Sequence, residues 1–300
     1  MATLEARLRT LLPEDYQGAD EEIQPVPMRS AGLKYNLDGS VAWDQIWGSF
    51  CDLAMAGGPP HKGVLLEPCI KADAHARPAL YHDAVREICR GINMVTDLLA
   101  EPAPDAGWVR TVCPDEAMAG WLVRAIVMEN VSARQDGVVL DLPASPHYRL
   151  DKEIKNVVTV MAKTYHYWSG HMPRTQWREI ATLLSAMEKE RPAIRPALRP
   201  DREDTPADRA ARAGFAEAIR NAPGLTLSAR RYAGWQGVEC GSVRAAIRQM
   251  RLLVAANVLA RREDQIVFVP VDPDRDADGR ITAELVCRVA ELAGARGPTS

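Results

Sequence analysis

Long apolar runs are missing from this chain of 300 residues, and so are clustered cysteines and any strong excess of one charge. No run approaches the roughly 20 apolar residues that a membrane-spanning helix needs. Leu252 to Ala260 is among the longest, so no membrane partner is expected. The N-terminus, MATLEARLRTLLPEDYQGADEE, is amphipathic and acidic, with neither the apolar core nor the small-residue cleavage site of a secretory signal. The six cysteines are scattered, with no CxxC pair, which excludes a dense disulfide framework and points to a reducing cytoplasm. A net charge of -3 gives no global attraction to nucleic acid, so any such binding needs a local patch. No motif names a cofactor.

What is present is the balance of a soluble globular protein, 47% hydrophobic and 26% charged, in a length that suits one large domain or two ordinary ones. An internal repeat favours two. Trp108 to Pro143, WVRTVCPDEAMAGWLVRAIVMENVSARQDGVVLDLP, returns without a gap 127 positions later as Trp235 to Pro270, WQGVECGSVRAAIRQMRLLVAANVLARREDQIVFVP. Trp108 pairs with Trp235, Cys113 with Cys240, Arg124 with Arg251, Asn130 with Asn257 and Arg134 with Arg261. The register runs on through Pro146/Pro273, Asp151/Asp278 and Ile154/Ile281. Two copies are too few for a solenoid and imply an internal duplication.

The expected fold class is α+β: two tandem diverged repeats, each ordered helix, strand, helix, hairpin, helix, packed with pseudo-twofold symmetry. Residues 1–38 read as an N-terminal arm, 39–168 as the first unit and functional half, and 169–300 as the second. Residues 190–206, with four prolines and alternating charges, read as an exposed extended segment. Within this frame, helices are expected over 43–55, 81–99, 117–128, 151–167, 175–189, 207–220 and 281–292. Asp38-Gly39 marks a tight hairpin, and Gln135-Asp136-Gly137 and Arg262-Glu263-Asp264 mark two more. Asn130 fits a left-handed helix end.

Two kinds of residue carry candidate chemistry. Among the paired ones, Cys113 and Cys240 each stand where a strand runs into a helix N-terminus, a place that favours a nucleophilic thiolate, although Asp115 and Glu116 oppose it near Cys113. Arg124 and Arg251 lie in apolar helices, where a guanidinium needs an anion or carbonyls, and together with Trp108 they are candidate ligand contacts. Among the unpaired ones, His61 and Lys62 lie in AGGPPHKG, a stiffened loop with no clear copy in the second half. Lys163 and His166 lie in KNVVTVMAKTYHYWSGH, with His166 as acid or base and His61 facing it. A metal on His61, His166 and His171 finds no strong ligand motif, because HxxxxH is ordinary at a helix–loop junction, and none is assigned.

Helix followed by hairpin resembles, in outline, the recognition helix and wing of a winged-helix domain. Arg244, Arg248, Arg251, Arg261 and Arg262 make the second copy locally basic, but the first-copy helix carries only Arg124 and is too apolar to lie in a groove. Nucleic acid is therefore not the expected partner. The expected function is binding or transformation of a small polar or anionic molecule at the interface between the halves, with His166, His61 and Cys113 catalytic and Arg124, Lys62, Lys163, Arg251 and Trp108 as ligand contacts. The rival is a non-catalytic accessory or assembly protein that uses Tyr165–Trp168 on a protein partner.

Overall fold

The computed structural model describes residues 3–14, 17, 32–45, 63–199, 201 and 203–294. The expected helix 43–55 is described only over Trp43–Gln45, and the loop bearing His61 and Lys62 lies outside the described residues. The chain forms two compact units, Ile23–Trp177 and a second made of Met1–Glu22 with Arg178–Ser300. The first helix, α1 (Leu4–Leu11), capped by the Thr3 hydroxyl, lies in the unit that also holds Arg178–Ser300. It buries Leu8 and Leu11, and its Glu5 and Arg7 pair with Arg248 and Glu190.

In unit Ile23–Trp177, Asn36 and Ser40 close the expected hairpin through a Tyr35–Val41 bridge, with Gly39 left-handed at its tip. Then come α2 (Lys71–Ala76) and α3 (Pro78–Val95). Helix α3 starts a turn earlier than expected because Pro78 sits at its first position, where a missing N–H costs nothing. It also stops earlier, releasing Ala100–Pro102 as a strand, β1, that the sequence pattern hides. Next are β2 (Trp108–Val112), α4 (Glu116–Met128), β3 (Arg134–Asp136), β4 (Val139–Pro143) and α5 (Lys155–His166). Helix α5 is entered through a π turn, Leu150–Ile154, and left through another, Tyr167–His171. The four strands form one antiparallel sheet ordered β1-β2-β4-β3.

Helix α4 is buried from Met118 to Val127, as its all-round apolar sequence requires. It packs on β3, β4 and α5, and α3 packs on β1, β2 and α5. Val109, Leu122, Ile126, Leu140, Leu142, Val157, Val160 and Met161 form a core below 2% exposure, each large side chain stabilising the fold by about 1.5–3 kcal/mol.

The second unit follows α6 (Arg174–Glu190), within which the division between units falls. It holds α7 (Pro206–Arg220), β5 (Thr226–Tyr232), β6 (Trp235–Glu239), α8 (Val243–Ala255), β7 (Arg261–Glu263), β8 (Ile266–Pro270) and α9 (Arg280–Gly294). Its sheet is antiparallel and ordered β5-β6-β8-β7. The molecule is thus of mixed α+β class, with two four-stranded antiparallel sheets.

Segment 190–206 is not wholly exposed. Ala193 and Ile194 are buried, because Ile194 bridges Val258 and the Ala197 N–H donates to Val271 O, which closes the side of this unit's core. Arg199 is likewise tied to Asp208 at 2.6 Å.

Three strands of each sheet, β2-β4-β3 and β6-β8-β7, agree residue for residue, whereas β5 shifts register against β6 between Leu227 and Arg231. Trp108 faces Pro143 and Trp235 faces Pro270, and the remaining partners on β2–β4 and β6–β8 keep the same offset. Asn130 and Asn257, at φ 61° and 66°, end α4 and α8 in the left-handed conformation. Both hairpins turn over two residues, Gly137-Val138 and Asp264-Gln265, each starting two positions later than expected, with positive φ at the first of each. Gly107 and Gly234 also correspond. Both have positive φ, and a Cβ there would meet Cys69 O at 2.5 Å and Ala197 O at 3.0 Å.

Candidate functional site

Cys113 follows β2 directly, and its backbone N–H donates to Val138 O at 2.9 Å. The positive end of α4 is already used: Asp115 caps it, its carboxylate accepting from the Met118 N–H at 2.8 Å. Burial, with Asp115 adding to it, pushes the Cys113 thiol up to about 12, so its thiolate is scarcely populated at neutral pH. Burial likewise pushes Cys240 up to about 11. The five described cysteines are all free thiols.

Arg124 is buried in the middle of α4 and donates to Gly120 O, one turn back, at 2.6 Å. Arg251 occupies the corresponding place on α8 and is half-buried. Trp108 is buried at the far end of β2 from Cys113, about 16 Å away at the rise of a strand, so the two do not share a site. The Arg134 guanidinium lies over its ring at 4.6 Å. Arg134 pairs with Asp141 at 2.8 Å and Asp105 at 2.7 Å, and Arg110 also holds Asp141 at 2.8 Å.

A similar stack in the second unit is wired differently. Arg261 is fully buried, 4.1–5.1 Å from the rings of Phe268, Tyr232 and Trp235, and pairs with Glu263 at 2.6 Å. In the sheet register Phe268 stands where the first sheet has Asp141, and Glu263 where it has Asp136. Asp141 has a faint sequence signal, a lone carboxylate between the apolar residues of β4. With Arg248 paired to Glu5 as well, two of the five arginines that make residues 244–262 basic are taken up inside the fold.

Lys163 projects from α5 into the core, 5% exposed, with Nζ 2.8 Å from Glu129 Oε1 and 5.9 Å from the Tyr167 ring. Glu129 is the C-cap of α4, so this ion pair ties two central helices. Nothing in the local sequence singles it out.

His166 is the last residue of α5 and half-buried. Burial and the nearby His171 lower its pKa, so it is neutral and carries a lone pair at neutral pH. Its Nε2 lies 3.1 Å from His171 Nε2, and the ring centroids are 4.9 Å apart. Beside them Trp168 packs between Trp121, at 5.7 Å, and Trp177, stacked at 5.6 Å and 5°. Tyr167 and Trp168 are buried, and the Tyr165 hydroxyl donates to Asp97 at 2.8 Å.

The structure therefore gathers Lys163, His166, Tyr167 and His171 at one helix end and places Cys113 and Trp108 elsewhere. Among the described residues no group of three or more His, Cys, Asp or Glu is placed to hold a metal ion, and no helix is long and apolar enough to cross a membrane. Two shallow cavities of ≈ 390 and ≈ 400 Å³ lie in the second unit, by Arg230 and Glu239 and by Cys287 and Arg288; neither is lined by a candidate residue. Compared with protein-family models, curated proteins and solved structures, the chain matches none of them.

Proposed function

We propose that this protein arose by internal duplication and binds a small polar or anionic molecule through its first copy, in the part where the copies differ. The duplication rests on the shared strand order, register offset and left-handed asparagines. The location rests on one observation: among the described catalytic candidates, His166 alone is half-exposed and neutral with a free-base imidazole. It has no histidine at the corresponding place in the second copy. Cys113, Trp108 and Lys163 are committed to the fold, which favours binding over transformation. An anion-holding role for Arg124, with Arg251, competes with its bond to Gly120 O.

Native mass spectrometry of the freshly purified full chain tests this reading. The expected result is a co-purifying small molecule lost in His166→Ala. A clean apo mass, together with no thermal shift from a panel of polar and anionic metabolites, overturns it. The second reading, an accessory protein with a protein partner, draws on the same commitment of Cys113 and Lys163 to the fold. It requires a co-purifying polypeptide whose binding survives His166→Ala.

A further inference from the structure

The spacing of His166 and His171 has a different meaning in this backbone from the one it has in an ordinary helix. At 3.6 residues per turn, a residue and its fifth successor point about 140° apart, so HxxxxH on an α-helix does not converge. Tyr167–His171 is instead a π turn, closed by the Met172 N–H donating to Tyr167 O at 3.2 Å. The wider turn brings the fifth residue back over the first, and such turns recur at functional sites.

Three features shape the pair. The two Nε2 atoms face each other at 3.1 Å. Ligand nitrogens at the usual zinc distance stand about 2.9 Å apart at a right angle and about 3.3 Å apart at a tetrahedral one, so the observed spacing falls between. Gly170 leaves room for the His166 ring: a Cβ there would lie 3.3 Å from its Cε1. The Tyr167 ring braces His171 edge-on at 5.4 Å. The neighbouring Lys163 charge is balanced by Glu129, and so does not repel a cation outright.

We propose that His166 and His171 form a two-nitrogen chelate for a borderline divalent first-row cation such as Zn2+ or Cu2+, with water completing its shell. Imidazole is a preferred ligand of these ions. On binding, two metal–water bonds break and two metal–nitrogen bonds form. The proton shared between the Nε2 atoms moves through solvent to the Nδ1 of the ring that carried it, so that each metal-bound imidazole keeps one proton. The inference rests on the proposed ligand-binding role of His166 and supplies the cation to which a polar or anionic molecule would coordinate.

The test uses the full chain, stripped with chelator and titrated with Cu2+, following bound metal by calorimetry and its ligands by electron paramagnetic resonance. The expected result is one equivalent bound, with hyperfine structure from two nitrogens. His166→Ala and His171→Ala should each weaken binding at least tenfold, and the double variant little further. Gly170→Ala keeps both ligands but crowds the His166 ring, and should weaken binding severalfold with unchanged circular dichroism. Absence of binding, or binding that the double variant retains, overturns the chelate. If metal binding fails while native mass spectrometry still shows a His166-dependent organic ligand, the chelate falls and the proposed function stands; if neither is seen, both fall.

Discussion

Asn130 and Asn257 offer a sharp test of the shared architecture, because the usual order of two substitutions should invert there. Both residues are buried and left-handed, at φ 61° and 66°. Each uses its side-chain amide to hold an incoming segment: Asn130 donates to Gly63 O at 3.1 Å, and Asn257 to Arg191 O at 2.9 Å. Each backbone carbonyl accepts from a bridging strand, from the Leu66 N–H at 2.8 Å and the Ile194 N–H at 3.0 Å. Alanine loses the amide bond, about 1 kcal/mol, and adds about 1 kcal/mol for a Cβ in the left-handed region. Glycine loses the bond but not the conformation. Asn→Ala should therefore cost about 2 kcal/mol, near a thirtyfold shift in the opening equilibrium, with Asn→Gly closer to 1. At an ordinary helix position glycine is the worse of the two. Asn257 also lies 3.3 Å from Glu188, so its losses should be the larger. Amide exchange reads each unit separately, at Leu66 and Ser132 for one and at Ile194 and Leu259 for the other, which avoids assuming that two units unfold as one. Alanine variants as stable as their glycine counterparts would refute the reasoning.

Other outcomes follow from the buried groups. A Cys113 thiol at about 12 in place of 9 holds about a thousandfold less thiolate at pH 7.5 and, its stronger nucleophilicity included, should be alkylated at least about tenfold more slowly than a free thiol; peptide mapping after timed iodoacetamide treatment checks this, and a free-thiol rate contradicts it. Lys163→Met strands the Glu129 carboxylate and should cost about 3–5 kcal/mol in urea unfolding, most of it recovered by adding Glu129→Gln; a loss below 1 kcal/mol would show the pair to be well solvated. Asp208 is held down to about 2, first by Arg199 and then by Thr205. Its folded value lies below its unfolded one, so its contribution is complete above pH 4 and disappears as pH falls through 2. That contribution is about 2 kcal/mol, and Asp208→Asn should flatten this part of the acid-unfolding curve.

What the sequence reveals and what it hides divide along physical lines. Elements set by local chemistry are readable: Asn130 as a left-handed helix end, the strand that runs into Cys240, and α4 as an apolar helix. Elements set by tertiary context are not. β1 is three residues long and contains Pro102, too little for an alternating pattern to register. Ala193 and Ile194 look like linker among prolines, yet are drawn in by pairing with Val258. At the candidate site the residue types were visible, but the partners were not. Glu129 precedes Lys163 by 34 positions, and only the packing of α4 against α5 joins them. HxxxxH looked uninformative because its meaning depends on whether the turn is α or π, which the side chains alone do not encode.

The proposed duplication gives the two arginine–tryptophan stacks a consequence for how the halves diverged. Arg134 pairs with Asp141 and Arg261 with Glu263, and the place of Glu263 already holds an acid, Asp136, in the other sheet. Had one arrangement arisen from the other by exchange of Asp141 for an aromatic residue, an acid at the second place was at hand as the counter-charge. Losing both would leave the guanidinium without a carboxylate, at several kcal/mol. Glu263→Gln, which takes away the acid that remains beside the buried Arg261, should accordingly destabilise the second unit by several kcal/mol.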